Sequence, residues 1–341
     1  MNESQTQIKI SFIAGLGEVV LNELSQHTDL RVLKKGEGSL YLDFVQDLTE
    51  VKSLKSITRA YVVTQDSKYN PVYISNHKSL LGDLMETVIR EGKDMFKTFK
   101  IICAGSDSPE IRSVAHYIKE TYGMPEEEEA DMKIHIVRLG ELWEVGVQIT
   151  PRPLSSRDYK VKNMSGAMDP TIAYAVNSLC GLEKADSYLN VFSGSSTLLI
   201  EAGQCYPSLK QLVGFDNNKE HISLAIQNIK KAGLIKKIQL KEVDIFDKPN
   251  LGRFDVITAD LPFGMAVSKN EDLEKLYQCF VNYSQETLND GGILAIYTSE
   301  HEMFKKIIVG SGFKIIKTLE LKFMTAVNAY LRPKIFVCRL K

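Results

Sequence analysis

At 341 residues the chain is long for one domain, and its 44% hydrophobic and 25% charged residues are those of an ordinary globular protein of about two. A formal net charge of −1 is not that of a strongly basic nucleic-acid binder, though residues 1–150 carry 17 Lys/Arg against 23 Asp/Glu and residues 151–341 carry 25 against 20. No apolar run reaches membrane-span length, Met1 to Gln7 lack a signal pattern, the five Cys form no C-x-x-C pair and the six His are scattered; a cytoplasmic protein without membrane or metal is expected.

Residues 8–13 form an apolar run, and Gly15-Leu16-Gly17-Glu18 opens a helix to Leu24. Arg31 to Leu33 and Ser39 to Phe44 alternate as strands; Leu48 to Ala60 reads as helix, Tyr61 to Thr64 as extended and Leu80 to Glu91 as an amphipathic helix. Strand Phe99 to Cys103, helix Pro109 to Tyr122 and hairpin strands Lys133 to Arg138 and Glu141 to Ile149 follow. Strand, helix, strand, strand is the order of small α+β modules, not of a doubly wound sheet. The acidic run Glu126 to Glu129 reads as a solvated loop. Pro151 and Pro153 mark a boundary, giving domains at 1–155 and 169–341 joined by a basic linker at 156–168. Arg152, Arg157, Lys160 and Lys162, with Tyr159 interleaved, form either a strip for RNA phosphates or an exposed connector.

From Asp169 strands and helices alternate. Helix Pro170 to Leu179 is followed by strand Ser187 to Phe192, helix Leu198 to Gln204, strand Leu212 to Phe215 and helix Glu220 to Ala232. Strands Ile238 to Val243 and Phe254 to Ala259, helix Leu273 to Leu288 and strand Ile293 to Tyr297 continue the alternation. Helix His301 to Val309 and strands Phe313 to Phe323 and Lys334 to Arg339 complete it. The expectation is a mostly parallel, Rossmann-like α/β sheet of seven strands with an antiparallel edge hairpin.

In such sheets the ligand lies beyond the carboxyl ends of the strands. Those ends carry Ser193-Gly194-Ser195 with Thr197, then Asp216-Asn217, Asp244-Ile245 and Asp260. A small-residue turn before a helix admits a ligand to backbone amides, Asp216 suits ribose hydroxyls and Asp244 suits an adenine amine. A dinucleotide or S-adenosylmethionine would fit, but G-x-G-x-x-G is missing. The loop Asp260-Leu261-Pro262-Phe263-Gly264 favours methyl transfer, because it can hold a second flat base by its exocyclic amine.

Asp260-Leu261-Pro262-Phe263 resembles the (Asn/Asp)-Pro-Pro-(Phe/Tyr) loop of the Rossmann-like methyltransferases that modify exocyclic amines. Arg157-Asp158-Tyr159 with Ala167 to Ala173 resembles the lead-in of one subgroup, the THUMP-domain RNA methyltransferases, and the α+β passage at 99–150 has the order of a THUMP module after a ferredoxin-like domain. The family usually has Asp-Pro-(Phe/Met)-Cys-Gly-Ser-Gly-Thr after the first strand; here Asn190-Val191-Phe192-Ser193-Gly194-Ser195-Ser196-Thr197 stands instead. A positive φ at Ser196 would cost on the order of 1 kcal/mol.

The resemblance implies methylation of a base amine in structured RNA, the guanine 2-amino group of a tRNA first and an adenine 6-amino group also open. It implies S-adenosylmethionine as cofactor, held by Ser193, Gly194, Ser195, Thr197, Asp216, Asn217, Asp244 and Ile245. Catalysis would rest on Asp260, Leu261, Pro262 and Phe263, with Phe263 stacked on the extruded base. The rival is a non-catalytic RNA-binding protein whose cofactor turn has decayed at Asn190, Ser193 and Ser196.

Overall fold

The computed structural model describes residues 6–341 apart from residues 28, 67–79, 93–94, 104–108, 263–269 and 327–328. The chain divides into two compact units, residues 1–12 with 20–155 and residues 13–19 with 156–341. No described helix is long and apolar enough to cross a membrane.

In the first unit the described strands are β1 (Gln7–Ser11), β2 (Val32–Lys35), β3 (Ser39–Asp43), β4 (Arg59–Asp66), β5 (Phe99–Ile102), β6 (Met132–Leu139) and β7 (Leu142–Gln148). They form one sheet in the order β2-β3-β1-β4-β7-β6-β5, so the two α+β passages share a sheet through the antiparallel β4–β7 pair. The helix expected over Leu48 to Ala60 is corrected: helix α1 (Gly17–Leu24) stands, but α2 covers only Thr49–Ser53. Leu54, Ile57 and Ala60 are buried as helical spacing suggests, yet Arg59 begins the eight-residue strand that pairs with both β1 and β7. Tertiary pairing overrides local propensity there. Helices α3 (Gly82–Glu91) and α4 (Pro109–Tyr122) lie where expected.

Four strands of this sheet each aim a polar side chain at one buried carboxylate on a fifth. Glu144 on β7 accepts from Lys9 Nζ (2.6 Å), Tyr41 OH (2.7 Å) and Gln65 Nε2 (2.8 Å), and His135 Nε2 lies 3.1 Å away. Burial alone would raise its pKa; the bonds from His135, Lys9, Tyr41 and Gln65 together hold it well below the usual carboxylate range.

The second unit contains helices α5 (Pro170–Ser178), α6 (Thr197–Cys205), α7 (Lys219–Lys231), α8 (Asn270–Thr287) and α9 (His301–Val309). Its strands are β8 (Ser187–Val191), β9 (Gln211–Asp216), β10 (Ile238–Glu242), β11 (Phe254–Asp260), β12 (Leu288–Thr298), β13 (Phe313–Glu320), β14 (Phe323–Ala326), β15 (Ala329–Leu331) and β16 (Lys334–Leu340). The main sheet runs β10-β9-β8-β11-β12-β16-β13; the first five strands are parallel, and β16 is antiparallel to both β12 and β13. The expected Rossmann-like architecture is present. The strand expected over Phe313 to Phe323 ends at Glu320, and the next residues form a separate β14–β15 ribbon.

Local chemistry explains the helix starts. Asp169 caps α5 through Thr171 N, with Pro170 in the first turn, and Asn218 Oδ1 caps α7 by accepting from Glu220 N and His221 N. Leu189, Val191, Phe254, Ile257, Phe280 and Phe304 belong to the sheet core. A buried side chain of this size contributes roughly 1.5–3 kcal/mol. Gly214 on β9 is a required gap, because a Cβ there would lie 2.5 Å from Leu199 Cδ1 and 2.7 Å from Ser193 Oγ. This closeness lets the turn after β8 lie against its neighbour.

Candidate active site

The order of strands reverses direction between β8 and β11, and a cleft of about 950 Å³ opens at their carboxyl ends. Asn190, Ser193, Gly194, Ser195, Thr197, Asp216, Asn217, Asp244, Ile245, Asp260, Leu261 and Pro262 all line it. Phe263 and Gly264 lie outside the described residues.

The turn after β8 alternates through the left-handed region, with φ of 55° at Phe192, 49° at Gly194 and 61° at Ser196. Such turns point successive amides into one concavity, where an anionic or polar ligand group is held. Ser196 occupies the left-handed position fully buried, its Oγ 2.8 Å from Ser193 Oγ. Two effects of similar size oppose each other in a Ser196→Gly variant: relief of about 1 kcal/mol of backbone strain and loss of a buried hydrogen bond of about 1 kcal/mol. Its stability should therefore stay within about 1 kcal/mol of the parent. Ser196→Ala keeps the strain and loses the bond, and urea unfolding should show a loss of roughly 1–2 kcal/mol.

The two carboxylates of the neighbouring tips are already oriented. Asp216 Oδ2 accepts from Gly194 N at 2.9 Å, while Oδ1 accepts from Asn218 N at 3.0 Å and lies 3.2 Å from His221 Nδ1. Asp244 accepts from Phe246 N (2.9 Å) and from Asn217 Nδ2 (2.8 Å). Asn190 spans β8 and β11: its amide nitrogen lies 3.2 Å from Thr258 O and 3.3 Å from Val191 O. Asn190 donates to these carbonyls, which a carboxylate in its place could not do.

Asp260 differs from the other acids. Among the described residues nothing hydrogen-bonds to its carboxylate, and burial pushes its pKa up to about 7. The backbone beside it is pinned, with Leu261 N donating to Tyr297 O (3.0 Å) and Tyr277 OH to Pro262 O (3.0 Å). Leu261 O meets no donor among the described residues. One carboxylate and one carbonyl thus stand on successive residues without a partner among the described residues, a pair suited to receiving the two hydrogens of an amine.

The basic strip is corrected. Arg157 Nε donates to Glu201 Oε1 at 3.0 Å, and Tyr159 OH to the same atom at 2.7 Å, all three being buried. Lys160 Nζ donates to Met168 O at 2.8 Å, and burial lowers its pKa. Lys162 N and O bond to the Asn228 amide, leaving its side chain exposed, as is that of Arg152. Arg157, Tyr159 and Lys160 therefore fasten the segment 163–168, whose residues Met164 to Met168 wall the cleft. Of the strip's four cations, Arg152 and Lys162 are the ones exposed to solvent. The walls also include His221, Phe246 and Lys275, which strand-tip reasoning missed. Phe246, 58% exposed, follows Asp244 closely enough to have been found by reading past the strand end.

Among curated proteins the chain is 24% identical over 303 residues to the U6 snRNA (guanine-N(2))-methyltransferase of Bos taurus, covering 82% of this chain and 57% of that one. It is 29% identical over 208 residues to the tRNA (guanine(6)-N2)-methyltransferase of Thermus thermophilus, covering 59% of this chain and 60% of the relative. The chain thus spans about three fifths of the length of these curated relatives. The fold superposes on TrmN from Thermus thermophilus with a TM-score of 0.79 at 21% identity, covering 99% of this chain and 100% of that one. Residues 157–327, half of the chain, match UPF0020, the RMKL-like methyltransferase domain, and the chain belongs to that family.

Proposed function

We propose that the protein methylates an exocyclic base amine of structured RNA, with the guanine 2-amino group of a tRNA as the favoured target and S-adenosylmethionine as donor. The observation that carries this reading is the Asp260 carboxylate, which no described residue hydrogen-bonds, next to Leu261 in the same cleft as the oriented Asp216 and Asp244. Family membership supplies methyl transfer, and the guanine-N2 names of the relatives favour that amine over adenine. Those names also speak against a non-catalytic RNA binder.

The cleft fits the cofactor: its volume is that of a small-molecule site, its floor is a positive-φ turn and its walls hold two fixed carboxylates. Asp216 would take ribose hydroxyls; Asp244 and the exposed Phe246 ring would take the adenine; the turn at 193–197 would take the amino-acid end. When bound, S-adenosylmethionine supplies an electrophilic methyl group. The protein's part is positioning. Asp260 and Leu261 O accept from the amine and aim its lone pair, Tyr277 and Pro262 hold the loop, and Asp260 accepts the proton released by the methylated nitrogen. Phe263 is assigned the stacking role on its place in the loop's sequence.

The test is incubation of the protein with labelled cofactor and unmodified tRNA transcripts, followed by nucleoside mass spectrometry. N2-methylguanosine is the expected product. N6-methyladenosine would reassign the base, and cofactor binding without any RNA methylation would overturn the reading.

A further inference from the structure

We propose that the β14–β15 ribbon is a platform for the single-stranded nucleotides flanking the target base, with Tyr330 as its stacking surface. This rests on the RNA-methylation reading above. The sheet register places it at the right edge. Asp260, at the end of β11, pairs with Tyr297; the next residue of β12, Thr298, pairs with Lys334 at the start of β16, and Lys334 pairs with Glu320 at the end of β13. The ribbon joining Glu320 to Lys334 therefore leaves the sheet at the edge where the cleft opens. From β11 to β16 is two strand spacings, roughly 10 Å. That is the scale of one or two nucleotides along an RNA strand.

The ribbon is built unlike a structural hairpin. Met324 and Tyr330 pair across it and so share a face, yet they are 72% and 45% exposed. Lys322 Nζ stands 4.7 Å from the centre of the Tyr330 ring. From Leu321 to Lys334 the sequence holds the cations Lys322, Arg332 and Lys334 and no acid. Arg332 and Lys334 are tied to Glu320 at 3.1 and 3.2 Å, which fixes the ribbon's root. Leu321 N closes that root on Pro333 O. An exposed aromatic flanked by cations, with an apolar neighbour on the same face, matches what bases and phosphates of an unpaired strand require. A base stacks on the ring while Lys322, beside it, meets the backbone.

The test measures binding of a fluorescein-labelled oligouridylate and of unmodified tRNA transcripts by the full chain and its Tyr330→Ala, Tyr330→Phe and Lys322→Ala variants, by anisotropy across a salt series. Tyr330→Ala should weaken binding about ten-fold and Tyr330→Phe should restore it. Lys322→Ala should lower the salt slope by about one. Cofactor affinity, followed by calorimetry, should not move in any variant, which controls for folding. Wild-type affinity in Tyr330→Ala overturns the inference while leaving the methylation reading intact. A change of oligomeric state in that variant at unaltered RNA affinity overturns it in favour of a protein contact. Oligouridylate binding lost in Tyr330→Ala supports the ribbon even where no methylated nucleoside forms. A wild-type protein that binds neither RNA overturns both proposals.

Discussion

Asp260→Asn should abolish methyl transfer and make the protein more stable. The activity loss follows from removing the proton acceptor alone, since the Asn amide oxygen still accepts a hydrogen bond but takes no proton, and general-base effects of this kind amount to about 10²–10⁴-fold. The stability gain follows from the buried carboxyl, whose pKa moves from 3.8 to about 7 on folding. Between those values the unfolded chain has released the proton and the folded chain has not. Stability therefore falls as pH rises from about 4 to about 7 and is level above that, a total of up to roughly 4 kcal/mol. Asn has no such dependence. Urea unfolding at pH 5 and pH 8 should show the variant's advantage growing between the two, and an advantage independent of pH would mean that Asp260 is not held in its acid form by burial. In the parent, kcat/KM should climb with pH to a plateau above about 7, because only the carboxylate accepts the proton.

Glu201→Ala should be the most damaging single change in the second unit away from the cleft floor. Glu201 is 1% exposed and receives both Arg157 and Tyr159. Truncation strips a buried guanidinium of its carboxylate, a loss of about 3–5 kcal/mol. It also frees the root of segment 163–168, so cofactor affinity should fall with stability. Thermal unfolding and cofactor calorimetry on one preparation decide this. A variant of full stability and affinity would show that the buried trio is not what fastens the segment.

The strand tips were legible because each is a buried apolar run that stops on Asp or on a Gly turn, a pattern that one sheet geometry alone makes useful. Asp216, Asp244 and Asp260 needed no structure to be singled out. The partners of those residues did. Nothing near Arg157 in sequence announces Glu201, 44 residues away, so a cation in a polar linker read as a phosphate contact when it is half of a buried pair. The stretch Leu48 to Ala60 misled for the opposite reason. Its apolar spacing is helical and its apolar residues are buried, but pairing with β1 and β7 on either side claims everything from Arg59 onward. His221 was missed as a support for Asp216 although the helix was read from Glu220, because only the fold shows its ring turned back to within 3.2 Å of that carboxylate.

The convergence of Lys9, Tyr41, Gln65 and His135 on Glu144 makes the first sheet intolerant of misalignment. In a strand, a slip of one residue turns every side chain to the opposite face. Any of these strands shifted by one place would withdraw its donor and leave the buried anion short of a partner, at a penalty of about 1–3 kcal/mol or more. Glu144 thus acts as a proofreading mark for sheet assembly, accepting one alignment of five segments that the apolar pattern alone would leave freer to choose.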